Sequence, residues 1–180
     1  AYNTPLTRDA GEAKGTYTIH VDGEEYQGNY HVEYVAGTLT VTQQTIDPED
    51  PDPEKEYLGV TVDTPSDVTY DGNEHKWTPT VLDADEKALT EGTDYTVSYD
   101  TEDFTTVHTI TVTIEGIGNY TGTAKRTYRI TPATVTVTAN DDSKVYGEAD
   151  PKFTATVTGL AEKDKGKVTI DYTTDRDGGE

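Results

Sequence analysis

Threonine alternates with valine, isoleucine or tyrosine along most of this chain. GTLTVT (37–42), HTITVTI (108–114) and TPATVTVT (131–138) show the pattern most plainly. A period of two sends successive side chains to opposite faces of a strand, and β-branched residues suit that pleated, half-buried surface. Seven more segments pass the same test: TYTIHV (16–21), YHVEYV (30–35), KWTPTV (76–81), DYTVSY (94–99), AKRTYRI (124–130), KFTATV (152–157) and KVTIDY (167–172). Between them lie DGEE, DGNE, EGTD, IGNY and NDDS, where Gly, Asn and Asp supply positive φ or side-chain turns. Strands at this spacing predict an all-β sandwich or barrel. Only 82–91 and 160–167 read as locally helical, and both are short.

One segment fits neither strand nor turn. DPEDPDPE (47–54) sets prolines among carboxylates, so it cannot pair inside a sheet and is expected to be an extended linker. A calcium clamp there would need several oxygens converging on one ion, which extended geometry disperses. Two internal echoes flank it. Gly28-Asn29-Tyr30 recurs as Gly118-Asn119-Tyr120, each followed by a Thr-rich closing strand, which predicts two related modules. TRDAGE (7–12) recurs as DRDGGE (175–180), 168 positions later, and reads as a turn ahead of a strand with Gly11 and Gly179 permitting positive φ. The second copy resembles part of a calcium loop, but Thr7 stands where the first Asp would be needed, so no ligand set is shared. The chain is therefore expected to be a piece of a longer array.

Composition narrows the function classes. There are 35 Asp plus Glu against 14 Lys plus Arg, a net charge of −21 spread along the length. Such a surface repels nucleic acid and anionic lipid, so neither is expected as a partner. The absence of Cys removes disulfides and thiolate metal sites, and no apolar run suits a membrane span.

Whole phrases carry a family likeness. VTYDGNEHKWTPTV, LTEGTDYTVSYD, TITVTIEGIGNYTG and TYRITPA resemble the YDG-type repeat of bacterial surface proteins, with Tyr70, Asp71 and Gly72 as the triplet. TVTANDDSKVYGEADPKFTATVTGL, through Tyr146, Gly147 and Glu148, resembles the opening of the MBG domain of YGX type. GEAKGTYTIHVDGEEYQGNYHVEYVAGTLTVT is similar to the closing half of that domain. The resemblance divides the chain into a closing MBG-like half (1–46), an acidic Pro-rich linker (47–55), a YDG-like domain (56–132) and an opening MBG-like half (133–180). It implies an extracellular setting on the bacterial cell wall or in secretion, and a stalk or adhesin.

Half-domains raise a physical problem, because unpaired strand edges and an uncovered apolar face favour association. Either the tail of one molecule joins the head of the next, or head and tail meet within one chain. The intermolecular route is preferred, since a rigid intervening piece lowers the effective concentration for closure.

Candidate chemistry is sparse. His20, His31, His75 and His108 show no zinc-binding spacing, and no nucleophile elbow or phosphate loop is present. A paired-acid glycosidase would need two carboxylates fixed in a cleft, which half-buried strands of a small sandwich do not offer. No enzymatic activity, cofactor or metal is expected. Thirteen Tyr and the single Trp77 remain. The resemblance to mucus-binding repeats implies mucin-type glycans as a ligand class, and Trp77, Tyr70 and Tyr95, flanking the YDG turn region, are the candidate contacts. Tyrosines must also build the core of a chain so poor in Leu, Phe and Met. Gram-positive surface domains also carry Lys–Asn isopeptide bonds, but no residue triad for one stands out.

The expectation is thus tandem small β-domains, Ig-like sandwiches by strand spacing, acting as a structural spacer. A β-grasp is the alternative fold and would need a helix of about ten residues over the sheet. Glycan or host-protein binding is the alternative function.

Overall fold

A computed structural model describes residues 6–46 and 60–174. The linker expected at 47–55 and the DRDGGE copy at 175–180 lie outside the described residues. The protein is all-β. In chain order the strands are β1 (Thr7–Arg8), β2 (Gly15–His20), β3 (Tyr26–Gln27), β4 (Tyr30–His31), β5 (Gly37–Val41), β6 (Gln44–Thr45), β7 (Thr61–Val62) and β8 (Val68–Thr69). They continue with β9 (Val81–Leu82), β10 (Tyr95–Tyr99), β11 (Thr109–Gly116), β12 (Tyr120–Thr121), β13 (Thr123–Thr131), β14 (Thr136–Ala139) and β15 (Ala155–Thr158).

These strands form a four-stranded sheet of order β10-β11-β13-β8, a three-stranded sheet β1-β2-β5, and two-stranded pairs β12-β6, β14-β15, β3-β4 and β7-β9. The all-β expectation holds, while this set of small sheets does not by itself amount to an Ig-like sandwich. The β-grasp alternative lacks its helix among the described residues, where the one helical segment is the three-residue 3-10 turn Glu162–Asp164. No helix of the described residues is long and apolar enough to cross a membrane.

Two compact units make up the chain: residues 1–64, 79–98 and 112–126 form one, and residues 65–78, 99–111 and 127–180 the other. The first buries Ile46, Val60, Val62, Val81, Tyr95, Val112, Ile114 and Ala124; the second buries Phe104, Ile110, Tyr128 and Ile130. The alternation in β11 explains its share. Ile110, Val112 and Ile114 are fully buried while the intervening threonines are only partly covered, and each such side chain is stabilising by about 1.5–3 kcal/mol. Burial is confined to the middle of the chain: among the described residues, 6–44 and 132–174 contain no buried side chain.

The first segment joins its unit at the second Gly-Asn-Tyr turn. The Asn119 side-chain oxygen accepts the Lys14 N–H at 2.9 Å, and Gln43 Nε2 donates to the carbonyls of Gly118 and Tyr120 at 3.1 and 2.8 Å. Gly116 is required beside this turn, because a Cβ there would stand 2.6 Å from the Thr121 nitrogen.

Several strands predicted from alternation are shorter or missing, for one reason: periodicity defines a face, but a strand also needs a neighbour. YHVEYV keeps alternate burial yet pairs only at Tyr30–His31, and KVTIDY has no ladder partner among the described residues. The strand expected at 152–157 is found at Ala155–Thr158, and that at 131–138 begins only at Thr136. KWTPTV alternates inward at Trp77, Pro79 and Val81, but only Val81 enters a ladder. The stretch 82–91 is a loop, not a helix. Asp83 takes the N–H groups of Asp85 (3.0 Å) and Lys87 (2.9 Å) on its carboxylate, which competes with helical bonding, and Glu86 sits at φ 61°.

The burial pattern makes a direct stability prediction. Ile114→Ala is expected to destabilise the protein by about 2–5 kcal/mol, whereas Val145→Ala, on an exposed side chain, should stay within about 0.5 kcal/mol. Urea unfolding followed by circular dichroism measures both.

Candidate functional site

Tyr70, Asp71 and Gly72 follow directly on β8 and make one turn, each residue with a separate task. The Tyr70 hydroxyl donates to Asp164 Oδ2 at 2.7 Å, a contact spanning 94 positions of sequence. That bond, with burial second, raises the Tyr70 pKa above its ordinary value. Asp71 caps the turn: its Oδ1 accepts the Asn73 N–H (2.8 Å) and faces His75 Nε2 (2.8 Å), and its Oδ2 accepts Asn73 Nδ2 (2.9 Å). The Asn73 side chain first, then its backbone N–H and His75, hold the Asp71 carboxyl down at about 2. Gly72 adopts φ +80°, in the left-handed region, and a Cβ there would touch Ala161 and Lys163 at 3.5 and 3.4 Å. The triplet is thus a turn and a seat for residues 161–164.

Beyond the turn the chain runs extended past Pro79, which has no N–H to give to a ladder. Tyrosine hydroxyls take over. The Tyr128 hydroxyl donates to the His75 carbonyl (2.8 Å) and accepts the Trp77 N–H (3.3 Å), while the Tyr99 hydroxyl donates to the Trp77 carbonyl (2.8 Å). Tyr99 packs edge-on against Phe104 at 5.1 Å, and Lys76 Nζ lies 4.6 Å from the Tyr99 ring centre and 5.2 Å from that of Phe104. Such cation–π placement fixes the ammonium over the aromatic pair.

Beside this segment is an open groove of about 450 Å³, lined by Ser66, Val68, Glu74, Lys76, Trp77 and Tyr128, with His75 at its wall. It brings Trp77 together with the Glu74 carboxylate, chemistry suited to stacking a ring and hydrogen-bonding its hydroxyls. Of the three aromatic residues singled out in the sequence, only Trp77 lines it. Tyr70 is half-buried, its hydroxyl spent on Asp164. Tyr95 is 5 % exposed and belongs to the core, where burial raises its pKa.

The histidines do not converge. His20, His31 and His75 each meet one carboxylate, on Asp9, Glu25 and Asp71, at 2.7, 3.1 and 2.8 Å. His108 Nδ1 lies 2.9 Å from the Thr106 carbonyl, which can only accept, so that nitrogen carries the proton; buried Nε2 has no partner. No group of three or more His, Asp or Glu side chains placed to hold a metal occurs among the described residues. Sequence reasoning missed Asp164, Tyr99 and Tyr128. The inward phase of the β13 alternation marks Tyr128 as buried, but nothing local announces what its hydroxyl holds.

Two variants test these roles. Tyr128→Phe keeps the ring but strands the polar groups at His75 and Trp77, and should lower unfolding stability by about 1–3 kcal/mol. The Asp71 carboxyl is lowered in the fold from its ordinary 3.8 to about 2, so its contribution is complete above pH 4 and fades as pH falls toward 2. Asp71→Asn should flatten the loss of stability across that window in acid titration. A residue should persist, because bonds from Thr106 and Thr105 also hold Asp103 at about 2.

Comparison with known proteins points to one family. The sequence model of the MBG domain (YGX type) matches the chain at residues 1–40 and 135–180. No curated protein and no solved structure matches it.

Proposed function

We infer that this chain, whose residues 1–40 and 135–180 belong to the MBG domain (YGX type) family, is a structural repeat of a large bacterial surface adhesin. That family is typical of cell-surface proteins and suggests a surface-protein repeat. The finer reading is an extracellular spacer, on the cell wall or secreted, that holds an adhesive tip away from the cell and has no catalytic role. One observation carries it: two of the three aromatic side chains singled out for a ligand are used internally, Tyr70 tethering Asp164 and Tyr95 filling the core. Dispersed negative charge supports the same role, since like-charged repeats repel one another and keep an array extended.

The second reading is that the repeat itself binds mucin-type glycans or host protein, and the groove beside Trp77 favours it. Sugar rings stack on indole faces, and Glu74, on the groove lining, would meet ring hydroxyls.

The two readings separate in one experiment. The isolated protein is passed over immobilised mucin and a glycan array, and the same module is placed between a known adhesive tip and a cell anchor. A spacer shows no binding alone, and in flow its deletion weakens tip adhesion while an unrelated β-module of equal length restores it. Binding by the isolated protein that disappears in a folded Trp77→Ala variant would establish the glycan reading instead.

A further inference from the structure

The chain contains two Gly-Asn-Tyr turns, and one of them is occupied. At Gly118-Asn119-Tyr120 the carbonyls of Asn119 and Thr121 accept the N–H groups of Gln44 (3.0 Å) and Ile46 (2.8 Å). β6 therefore runs parallel to β12, with Gln44 opposite Tyr120 and Thr45 opposite Thr121. The contact buries Ile46 completely and leaves Tyr120 half-buried. The occupying residues QQTI (43–46) come straight after the closing segment GTLTVT (37–42). In the second module the closing segment RTYRIT (126–131) is followed by PATV (132–135), so Thr134 and Val135 hold the positions of Thr45 and Ile46.

The first turn, Gly28-Asn29-Tyr30, has the same form. Gly28 is at φ 61° where Gly118 is at φ 64°, and Tyr30 opens a two-residue strand as Tyr120 does. Here the surroundings differ. Tyr30 is 77 % exposed, and nothing lies within 4 Å of a Cβ at Gly28. In the β3–β4 hairpin, Gln27 pairs with Tyr30 and the Val32 N–H meets the Glu25 carbonyl. Alternate rungs of an antiparallel pair face away from the partner, which turns the main-chain groups of His31 to the outer edge.

We propose that residues 132–135 of one copy of this chain pair in parallel with Tyr30–His31 of a second copy, as residues 43–46 pair with Tyr120–Thr121 within the chain. The Ala133 N–H then meets the Asn29 carbonyl and the Val135 N–H the His31 carbonyl, an added strand on an open edge. A second copy is the occupant because, among the described residues, Tyr30–His31 pairs only with Tyr26–Gln27 of its own chain and Tyr30 stays 77 % exposed. The inserting segment continues β13, which is tied to Val68 and Thr69. The flanking segments fit the same junction. Residues 6–40 and 136–174 bury no side chain, both are matched by one domain family, and they expose Leu39, Val137 and Tyr172.

The contact uses two different surfaces, so it is heterologous and extends into rows. Pro132 replaces Gln43, whose amide makes two hydrogen bonds in the internal version, and both segments are acidic, with six carboxylates against two cations in 1–46 and ten against six in 133–180. The association is therefore weak and strengthened by salt.

Sedimentation velocity over a concentration series, at low and high salt, tests the contact on the full chain. The wild type should grow in mass with concentration, and more so at high salt. Val135→Asp removes the inserting surface and Tyr30→Asp the receiving one, each weakening self-association by at least about ten-fold. An equimolar mixture of the two should stop at a one-to-one dimer, because each variant keeps one intact surface. Ala133→Pro removes a main-chain donor without adding charge and should act as Val135→Asp does, with the near-ultraviolet signal of Trp77 reporting that every variant is folded. A wild type that stays monomeric throughout, variants that still associate alone, or a mixture that stays monomeric overturns the proposal. The spacer reading does not depend on this contact and survives those results.

Discussion

Burial of the inner face of β11 is the interaction on which the rest of the structure depends. Two Phe and no Met are present in 180 residues, so apolar density must come from β-branched side chains, and it is highest where Ile110, Val112 and Ile114 alternate along one strand. β10 and β13 flank that strand, and on them Tyr95, Ala124, Tyr128 and Ile130 are buried as well. Threonines on the other phase give solvent a polar surface without giving up β-branched geometry. The YDG turn, the groove beside Trp77 and the second Gly-Asn-Tyr turn are all attached to strands held by this burial.

A core this lean leaves main-chain hydrogen bonding to be completed by other means. Just before Pro79, at His75 and Trp77, the partners are phenol groups, and around Asp63 they are mixed. Its carboxylate takes the Thr80 N–H at 2.7 Å, and Arg126 reaches the carbonyls of Asp63 and Val62 at 3.2 and 3.1 Å. Tyrosine in this chain thus serves twice, its ring contributing apolar area and its hydroxyl satisfying backbone that a proline or a bend has detached from a ladder.

Alternation made the strands around β2, β5, β10, β11 and β13 legible, because a period of two and a buried face are one physical fact. It overstated YHVEYV, KWTPTV and KVTIDY, since a neighbour strand is a property of the whole fold and not of six residues. LDADEKALTE misled for a different reason: its residues favour helix on average, but Asp83 at the start offers a carboxylate to the very N–H groups a helix would need. At the candidate site, the YDG phrase announced a turn, and Gly72 at positive φ is that turn. Asp164 could not be read, being 94 positions away in a charged stretch whose carboxylates look alike. Trp77 is the one aromatic candidate whose surroundings leave it facing a groove, while Tyr95 lies on the inward phase of its own strand, a position the alternation itself assigns to the core.

The direction of one strand pair has a mechanical meaning. β8 and β13 run parallel, Val68 beside Ile130 and Thr69 beside Thr131, with the Tyr70 N–H to the Thr131 carbonyl and the Arg129 N–H to Asp67 extending the pair at either end. The chain enters β8 from its N-terminal side and leaves β13 from its C-terminal side. A pull along the polypeptide therefore drives the two strands past each other in opposite senses, loading all their cross-links at once in shear. A hairpin pulled open at its ends would release them singly. On the spacer reading proposed above, in which the chain carries tension and the rate of unfolding sets survival, shear loading of this parallel pair would oppose its separation as a unit.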